Sequence, residues 1–271
     1  MKKLIYMLAL VGVFQYSYAQ NHTFNMVKEG IYTMQFVSKH TKDTYRIDVQ
    51  IPFGYQSNKN RYPVLYALDG NVSFGMVSDI AKLLYFEKQH SAVIIVGISY
   101  TTYQEWIHKR GRDLMPNTTS TKEIDRYHTF IKDELIPLIN TNFRTQKDKN
   151  IIYGHSSAGV FGFYSMFKEP LVFKNYILTS PSVDEDGGYI KQMEKNFHIK
   201  NKNLDISLYT SMGNSEKPAY INNYTQFIKQ LTNSNHSGLH HKTDIFEGTH
   251  MSTMAPAFVK GFEYMFRNKE K

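Results

Sequence analysis

Apolar and polar positions along the chain fall into two regimes. Tyr32 to Val37 and Thr44 to Ile51 are short stretches rich in β-branched and aromatic residues, separated by the polar run Ser38 to Asp43. That pattern predicts an antiparallel hairpin. From Tyr62 onward the period changes, and short apolar runs alternate with longer amphipathic stretches. Pro63 to Leu68 (PVLYAL), Val93 to Ile98 (VIIVGI), Asn150 to Tyr153, Tyr176 to Thr179, Asp205 to Thr210 and Thr243 to Phe246 read as strands. Their near-continuous apolar character indicates burial on both faces, as in a parallel sheet covered by helices. Between them, Ile124, Tyr127, Phe130, Ile131, Leu135, Leu138 and Ile139 recur at helical spacing across 124–140, and Tyr220 to Leu231 and Met254 to Phe266 form shorter helical patterns. The alternation predicts an α/β architecture: a mostly parallel central sheet, antiparallel strands at its N-terminal side, and helices on both faces.

The first twenty residues follow a different rule. Lys2 and Lys3 precede an almost unbroken apolar run from Leu4 to Phe14, and Ser17-Tyr18-Ala19 places small residues where a signal peptidase reads. The run is about 11 residues, well short of the ~20 needed to span a bilayer. Residues 1–19 are therefore expected to be a secretory signal cleaved after Ala19, and the mature protein to be periplasmic or secreted, with no stable membrane insertion. Beyond it there is no long linker, charge block or internal repeat, so residues 20–271 read as one domain.

Composition narrows the chemistry. A hydrophobic fraction of 41% with 21% charged residues is that of a globular protein rather than a disordered one. With no Cys, a disulfide scaffold, thiolate-ligated zinc, an iron–sulfur cluster and a thiol nucleophile are all excluded. The formal charge of +8 arises from basic residues spread along the whole chain, which does not make the footprint of a nucleic-acid-binding surface.

The decisive stretch is Asn150 to Val160, NIIYGHSSAGV. A buried strand runs into Gly154-His155-Ser156-Ser157-Ala158-Gly159, and an apolar helix follows. This is the layout of a nucleophile elbow, a sharp strand-to-helix turn that lifts one serine into a cleft. Gly154 and Ala158 flank Ser156 because larger side chains would collide where strand and helix converge. Position 158 is Ala rather than the Gly of the strict G-x-S-x-G pattern, a small departure followed at once by Gly159. Ser156 is the expected nucleophile, exposed at a helix N-terminus where backbone N–H groups can hold an oxyanion.

On such a fold the triad runs in the order serine, acid, histidine. Of the 11 histidines, His250 lies between the last predicted strand and the C-terminal helix, which makes it the expected base. The acid should follow the preceding strand, and Leu208 to Glu216 ends in a carboxylate just past a Gly turn. Glu216 is the choice; Asp184 and Asp186 in the acidic group 184–186, or a dyad lacking a firm acid, are the alternatives. The second oxyanion donor should come from the loop after an earlier strand, where Leu68-Asp69-Gly70-Asn71 ends the Pro63 strand. The main-chain amides of Asn71 and Ser157 are the expected pair, with Gly70 read as allowing close approach of the backbone to substrate.

With these residues in place, the chain resembles the putative-esterase branch of the α/β-hydrolases, which includes siderophore trilactone esterases, feruloyl esterases, S-formylglutathione hydrolase and mycolyltransferases. The resemblance is carried by Tyr62 to Asn71 (YPVLYALDGN), Val96 to Ile98, Arg110 to Pro116, Phe130 to Pro137, the elbow at 154–159, Ser180-Pro181-Ser182, Gly213 to Glu216 and Gly248-Thr249-His250. Within the branch the chain is most similar to bacterial enterobactin and salmochelin esterases. The resemblance implies the α/β-hydrolase fold, Ser156 and His250 as the catalytic pair, and an oxyanion-hole amide near Asn71. Where many relatives place bulky aromatics after Ser-Pro-Ser, this chain has Val183 and the acidic trio, a lip poorly suited to an anionic catecholate. Arg110 and Arg112 on the opposing rim are the expected substrate contacts, although the arginine–aspartate pattern there is often structural in the family.

The expected chemistry is two-step acyl transfer from a small-molecule ester, with no metal or cofactor, since no His/carboxylate metal spacing or phosphate-binding glycine loop is present. Competing readings are a feruloyl or acetyl esterase of polysaccharide, an acyltransferase, and a non-catalytic binding protein that keeps the fold.

Overall fold

The computed structural model describes residues 23–87, 92–117, 119–183, 185–201 and 203–267. The expected secretory signal and Asp184 lie outside the described residues. Nine strands form one sheet: β1 (Asn25–Lys28), β2 (Ile31–Val37), β3 (Thr44–Gln50), β4 (Tyr62–Ala67), β5 (Ile94–Tyr100), β6 (Thr145–His155), β7 (Asn175–Thr179), β8 (Asn203–Gly213) and β9 (Ser237–Phe246). Their spatial order is β1-β2-β3-β5-β4-β6-β7-β8-β9. The expected hairpin is β2 against β3, in register from Ile31 opposite Gln50 to Val37 opposite Thr44, and β3 continues antiparallel to β5. Every pairing from β5 through β9 is parallel. The architecture is the mixed, mostly parallel sheet expected from the hydrophobic pattern.

Side-chain alternation along the central strands divides the core between the two faces. Leu65 and Ala67 of β4, Ile95 of β5, Ile151 and Tyr153 of β6 and Tyr209 of β8 pack against helices α1 (Gly70–Phe86) and α8 (Met254–Arg267). The intervening Val64, Tyr66, Ile94, Val96, Ile152 and Leu208 face the other side. There they meet α2 (Tyr103–Leu114), α3 (Lys122–Thr129), α4 (Ile136–Asn142), α5 (Ser157–Lys168), α6 (Tyr189–Lys200) and α7 (Pro218–Asn233). Strands β4, β5 and β7 are buried at every position, which is why they read as unbroken apolar runs rather than alternating ones.

Two features depart from the periodic reading. The helix expected over 124–140 is interrupted by a π-helical segment, Phe130–Leu135, joining α3 to α4. Pro137 at the start of α4 has no amide to donate, and its ring would press on the carbonyl four residues back. Widening the preceding turn, so that Ile136 N–H donates to Ile131 O, removes that collision while Phe130, Ile131 and Leu135 stay buried. Strand β1 and helices α1, α2 and α6 are additions to the elements that the periodicity predicts. The four residues of β1 are all exposed, so no apolar periodicity marks them.

β4 has β5 on one side and β6 on the other. The chain leaves β4 toward one edge and returns across it to β6 by way of α2, α3 and α4. Such a switch point opens a crevice at the carboxyl ends of the strands, where open α/β sheets gather function.

Candidate active site

Ser156 sits between β6 and α5 with φ 62° and ψ −124°, a conformation that an L-residue adopts at a cost of order 1–3 kcal/mol. The surrounding packing explains why it persists. A Cβ on Gly154 would lie 2.2 Å from the Ala158 carbonyl oxygen, and one on Gly159 would lie 2.9 Å from Pro181 Cβ. Only glycine fits either place. Ser156 N–H donates to Thr179 O of β7, and Ser156 O accepts from the Gly159 and Val160 amides.

The loops after β8 and β9 are knitted to each other. The two strands pair up to Gly213 opposite Phe246. Beyond them Asn214 N–H donates to Phe246 O, Ser215 N–H to Gly248 O, and Gly248 N–H to Asn214 Oδ1. A Cβ on Gly213 would come within 2.6 Å of Gly248 O, so a glycine is needed for the loops to close. This brings Glu216 and His250, 34 residues apart, into a hydrogen bond of 2.7 Å between Glu216 Oε2 and His250 Nδ1. The other carboxylate oxygen accepts from Ser180 Oγ at 2.6 Å and from Gly213 N–H at 2.9 Å. Burial by itself would raise the Glu216 carboxyl; the bonds from His250, Ser180 and Gly213 outweigh it and hold the group below the ordinary carboxylate value.

His250 lies against His155, the neighbour of Ser156, with ring centroids 4.6 Å apart. The buried His155 bonds Thr179 Oγ1 through Nδ1 at 3.0 Å, and burial together with the nearby His250 pushes it down to about 3. It is therefore a neutral ring at pH 7. Ser156 Oγ itself is bonded to Ser182 Oγ at 3.2 Å.

Asn71 and Ser157 occupy the first turns of α1 and α5, whose N-termini follow the adjacent strands β4 and β6. The Asn71 side chain grips the main chain of Tyr100, donating to its O at 3.0 Å and accepting from its N–H at 2.8 Å. Gly70 has a packing requirement of its own: a Cβ there would meet Ser99 Oγ at 2.4 Å and the Ile98 backbone at 3.1 Å. Close packing of α1 on β5 demands it.

Arg110 is held rather than free. Its Nη2 pairs with the buried Asp69 at 2.6 Å, its Nη1 reaches Ser157 Oγ at 3.3 Å, and its guanidinium stands over the Trp106 ring. It thus ties the turn after β4 to the first residue of α5. Asp69, with φ 51°, also accepts from Trp106 Nε1 at 2.8 Å. Arg112 is turned to carboxylates, bonding Asp43 and Asp113 at 2.7 Å each, and Asp113 in turn accepts from the hydroxyls of Tyr45 and Tyr100. The structure gives Arg112 a role in joining β3, β5 and α2. Asp186 caps α6, accepting from the Gly188 and Ile190 amides, and does not meet His250.

Four contributors escaped the sequence reading: His155, Ser180, Asp69 and Trp106. His155 and Ser180 lie within the quoted motifs, but nothing in a linear pattern reveals that one backs an imidazole and the other bonds a carboxylate 36 residues away. Among the described residues, no group of His, Asp and Glu is arranged to hold a metal ion, and no helix is long and apolar enough to cross a membrane.

The chain is 26% identical over 220 residues to the ferri-bacillibactin esterase BesA of Bacillus subtilis, covering 73% of this chain and 76% of that protein. A crystal structure of the BES protein from Bacillus cereus superposes with a TM-score of 0.80 at 25% identity, covering 89% of this chain and 97% of that one. An IroE-like serine hydrolase from Shewanella oneidensis shares the fold with a TM-score of 0.79 at 23% identity, over 88% of this chain and 80% of that one. The family model described as "Putative esterase" matches residues 38–265. The chain belongs to that family, with the α/β-hydrolase fold, and is a carboxylic ester hydrolase.

Proposed function

We propose that the protein is an exported serine esterase that works through Ser156, His250 and Glu216, and that its substrate is a siderophore ester of the trilactone class. The observation that carries the catalytic reading is the 2.7 Å bond from His250 Nδ1 to the buried Glu216, with the His250 ring against His155, the neighbour of the strained elbow serine. With Nδ1–H donated to the carboxylate, Nε2 is left as the base. Ser156 Oγ attacks the ester carbonyl as its proton passes to His250 Nε2. The oxyanion is received by the amides of Asn71 and Ser157 at two helix N-termini. Collapse expels the alcohol, which takes the proton from His250, and water then releases the acyl group by the reverse sequence.

The substrate class rests on relatives whose names include ferri-bacillibactin, triacetylfusarinine C and enterobactin esterases. The exposed Tyr103, its ring tilted 32° against Trp106 at 4.9 Å, supplies an aromatic surface beside the Asp69 turn that suits an aromatic acyl group. Export rests on the leader pattern of residues 1–19 and is tested by N-terminal sequencing of protein recovered outside the cytoplasm. The esterase reading is tested by incubating the mature protein and its Ser156→Ala variant with a short p-nitrophenyl ester and with a catecholate trilactone, followed by chromatography. Serine-dependent cleavage of the trilactone, faster than that of the simple ester, is expected. Cleavage of the simple ester alone would redirect the substrate to feruloyl or acetyl groups, and equal turnover by Ser156→Ala would refute the nucleophile.

A further inference from the structure

The loop after β7 carries a second hydroxyl to the nucleophile. Ser182 is 3% exposed, and its Oγ stands 3.2 Å from Ser156 Oγ. Among the described residues this is the one hydrogen bond of the Ser182 side chain. The loop is held from several sides. Ser180, with φ 43°, donates its amide to Ser211 O and its hydroxyl to Glu216. Pro181 abuts Gly159 of the elbow, Ser182 N–H reaches Ser156 O, and Ser182 O accepts from Glu185 N–H. Ser182 is therefore fixed against the elbow before any substrate arrives.

We propose that the Ser182 hydroxyl is a catalytic hydrogen-bond donor to the nucleophile oxygen. The inference rests on the reading of Ser156 as nucleophile. A nearly buried hydroxyl with a single hydrogen-bonding partner among the described residues donates to it, because an unused donor costs the full desolvation of that group. When Ser182 donates, Ser156 Oγ is the acceptor, and the Ser156 proton stays free to pass to His250. As Ser156 Oγ bonds the carbonyl carbon, its proton moves to His250 Nε2 and negative charge passes through Oγ. In deacylation, water attacks the acyl carbon and gives its proton to His250, and Ser156 Oγ leaves and takes that proton back. Oγ carries charge in both steps while its proton is in transit. Ser182 O–H points at that oxygen each time and keeps its own proton. This donor is separate from the oxyanion hole, which serves the carbonyl oxygen.

The test measures the nucleophile apart from substrate fit. Diisopropyl fluorophosphate phosphorylates an activated serine: Oγ bonds phosphorus, fluoride leaves, and the serine proton passes to the base. The second-order labelling constant at Ser156 and kcat/KM for p-nitrophenyl acetate are compared in wild type, Ser182→Ala, Ser182→Thr and Ser182→Cys, with Tm recorded for each. We expect Ser182→Ala to lower both constants together by about 10–100-fold, the effect of losing one donor to a developing charge. Ser182→Thr should recover most of the loss. Ser182→Cys, similar in volume and weaker as a donor, should fall between and serves if the Ala variant fails to fold. A Cys variant as fast as wild type, an Ala variant within twofold of wild type or faster, or a Thr variant as slow as Ala would each overturn the proposal. Absence of labelling at Ser156 in wild type would instead overturn the serine-hydrolase reading and this proposal with it.

Discussion

Glu216→Gln is the most informative single change to the site, because it alters charge and hydrogen-bond polarity with almost no change in shape. The carboxylate accepts from three donors: His250 Nδ1 on Oε2, and Ser180 Oγ and Gly213 N–H on Oε1. A glutamine amide has one oxygen and one NH2. The Gly213 amide can only donate, so the glutamine oxygen must face it, which turns the NH2 toward His250 Nδ1. Nδ1 is then an acceptor and Nε2 carries the proton, the tautomer that cannot take a proton from Ser156. The opposite orientation would set the NH2 against the Gly213 N–H, a donor facing a donor in a buried site. Loss of the base in this way is expected to cut kcat roughly 10²–10⁴-fold, about 3–5 kcal/mol of barrier. Thermal stability should change far less, since each of the two Oε1 bonds survives. Steady-state hydrolysis of p-nitrophenyl acetate across pH, with Tm as control, measures both. An activity within threefold of wild type and an unchanged pH profile would refute Glu216 as the group that orients His250. Asp186 could not simply inherit the role, since it is committed to the N-terminus of α6.

Three further outcomes follow from the packing and the buried titrating groups. Gly154→Ala would place a methyl 2.2 Å from Ala158 O and should destabilise by about 1–3 kcal/mol, whereas Gly75→Ala, at an exposed position of α1 with nothing within 4 Å, should stabilise by about 0.5–1 kcal/mol; parallel Tm values for the two would refute the steric account of the elbow. Burial pushes His155 down to about 3 and His128 down to about 4, and each keeps a buried ring nitrogen with no hydrogen-bond partner among the described residues. Both stay neutral in the folded protein while the unfolded chain protonates below pH ~6.5, so stability should fall with pH by up to about 1.4 kcal/mol per unit for each group until its native pKa is reached. Urea midpoints between pH 6 and 5 should fall less steeply in His128→Gln, and identical slopes would remove His128 from the acid response. Finally, Arg110→Met would leave the buried Asp69 carboxylate without its cation and should cost about 2–5 kcal/mol, with a loss of kcat if the turn bearing Asn71 shifts; a variant as stable and as active as wild type would show that the bridge to Ser157 is incidental.

Some of this protein was legible in one dimension because the physics concerned is local. Burial on two faces makes β4, β5 and β7 unbroken apolar runs, and β-branched and aromatic residues on either side of a polar run mark the hairpin β2–β3. The elbow is equally local: glycine, serine and alanine are spaced as the collision at Gly154 and Ala158 requires. Candidate acids and bases could be ordered along the chain because each follows its own strand. Pairings across the fold are another matter. Which carboxylate meets His250 depends on the β8–β9 register and on the glycine contact between Gly213 and Gly248, neither of which has a linear signature. The same holds for the fates of Arg110 and Arg112. As residues on a rim they read as substrate contacts, with the arginine–aspartate pattern pointing to structure without naming a partner, and folding hands one to Asp69 and Ser157 and the other to Asp43, 69 positions away. Periodicity records how deeply each residue is buried, whereas partner choice arises from strand order and loop closure, which bring distant carboxylates and hydroxyls to the same carboxyl edge of the sheet.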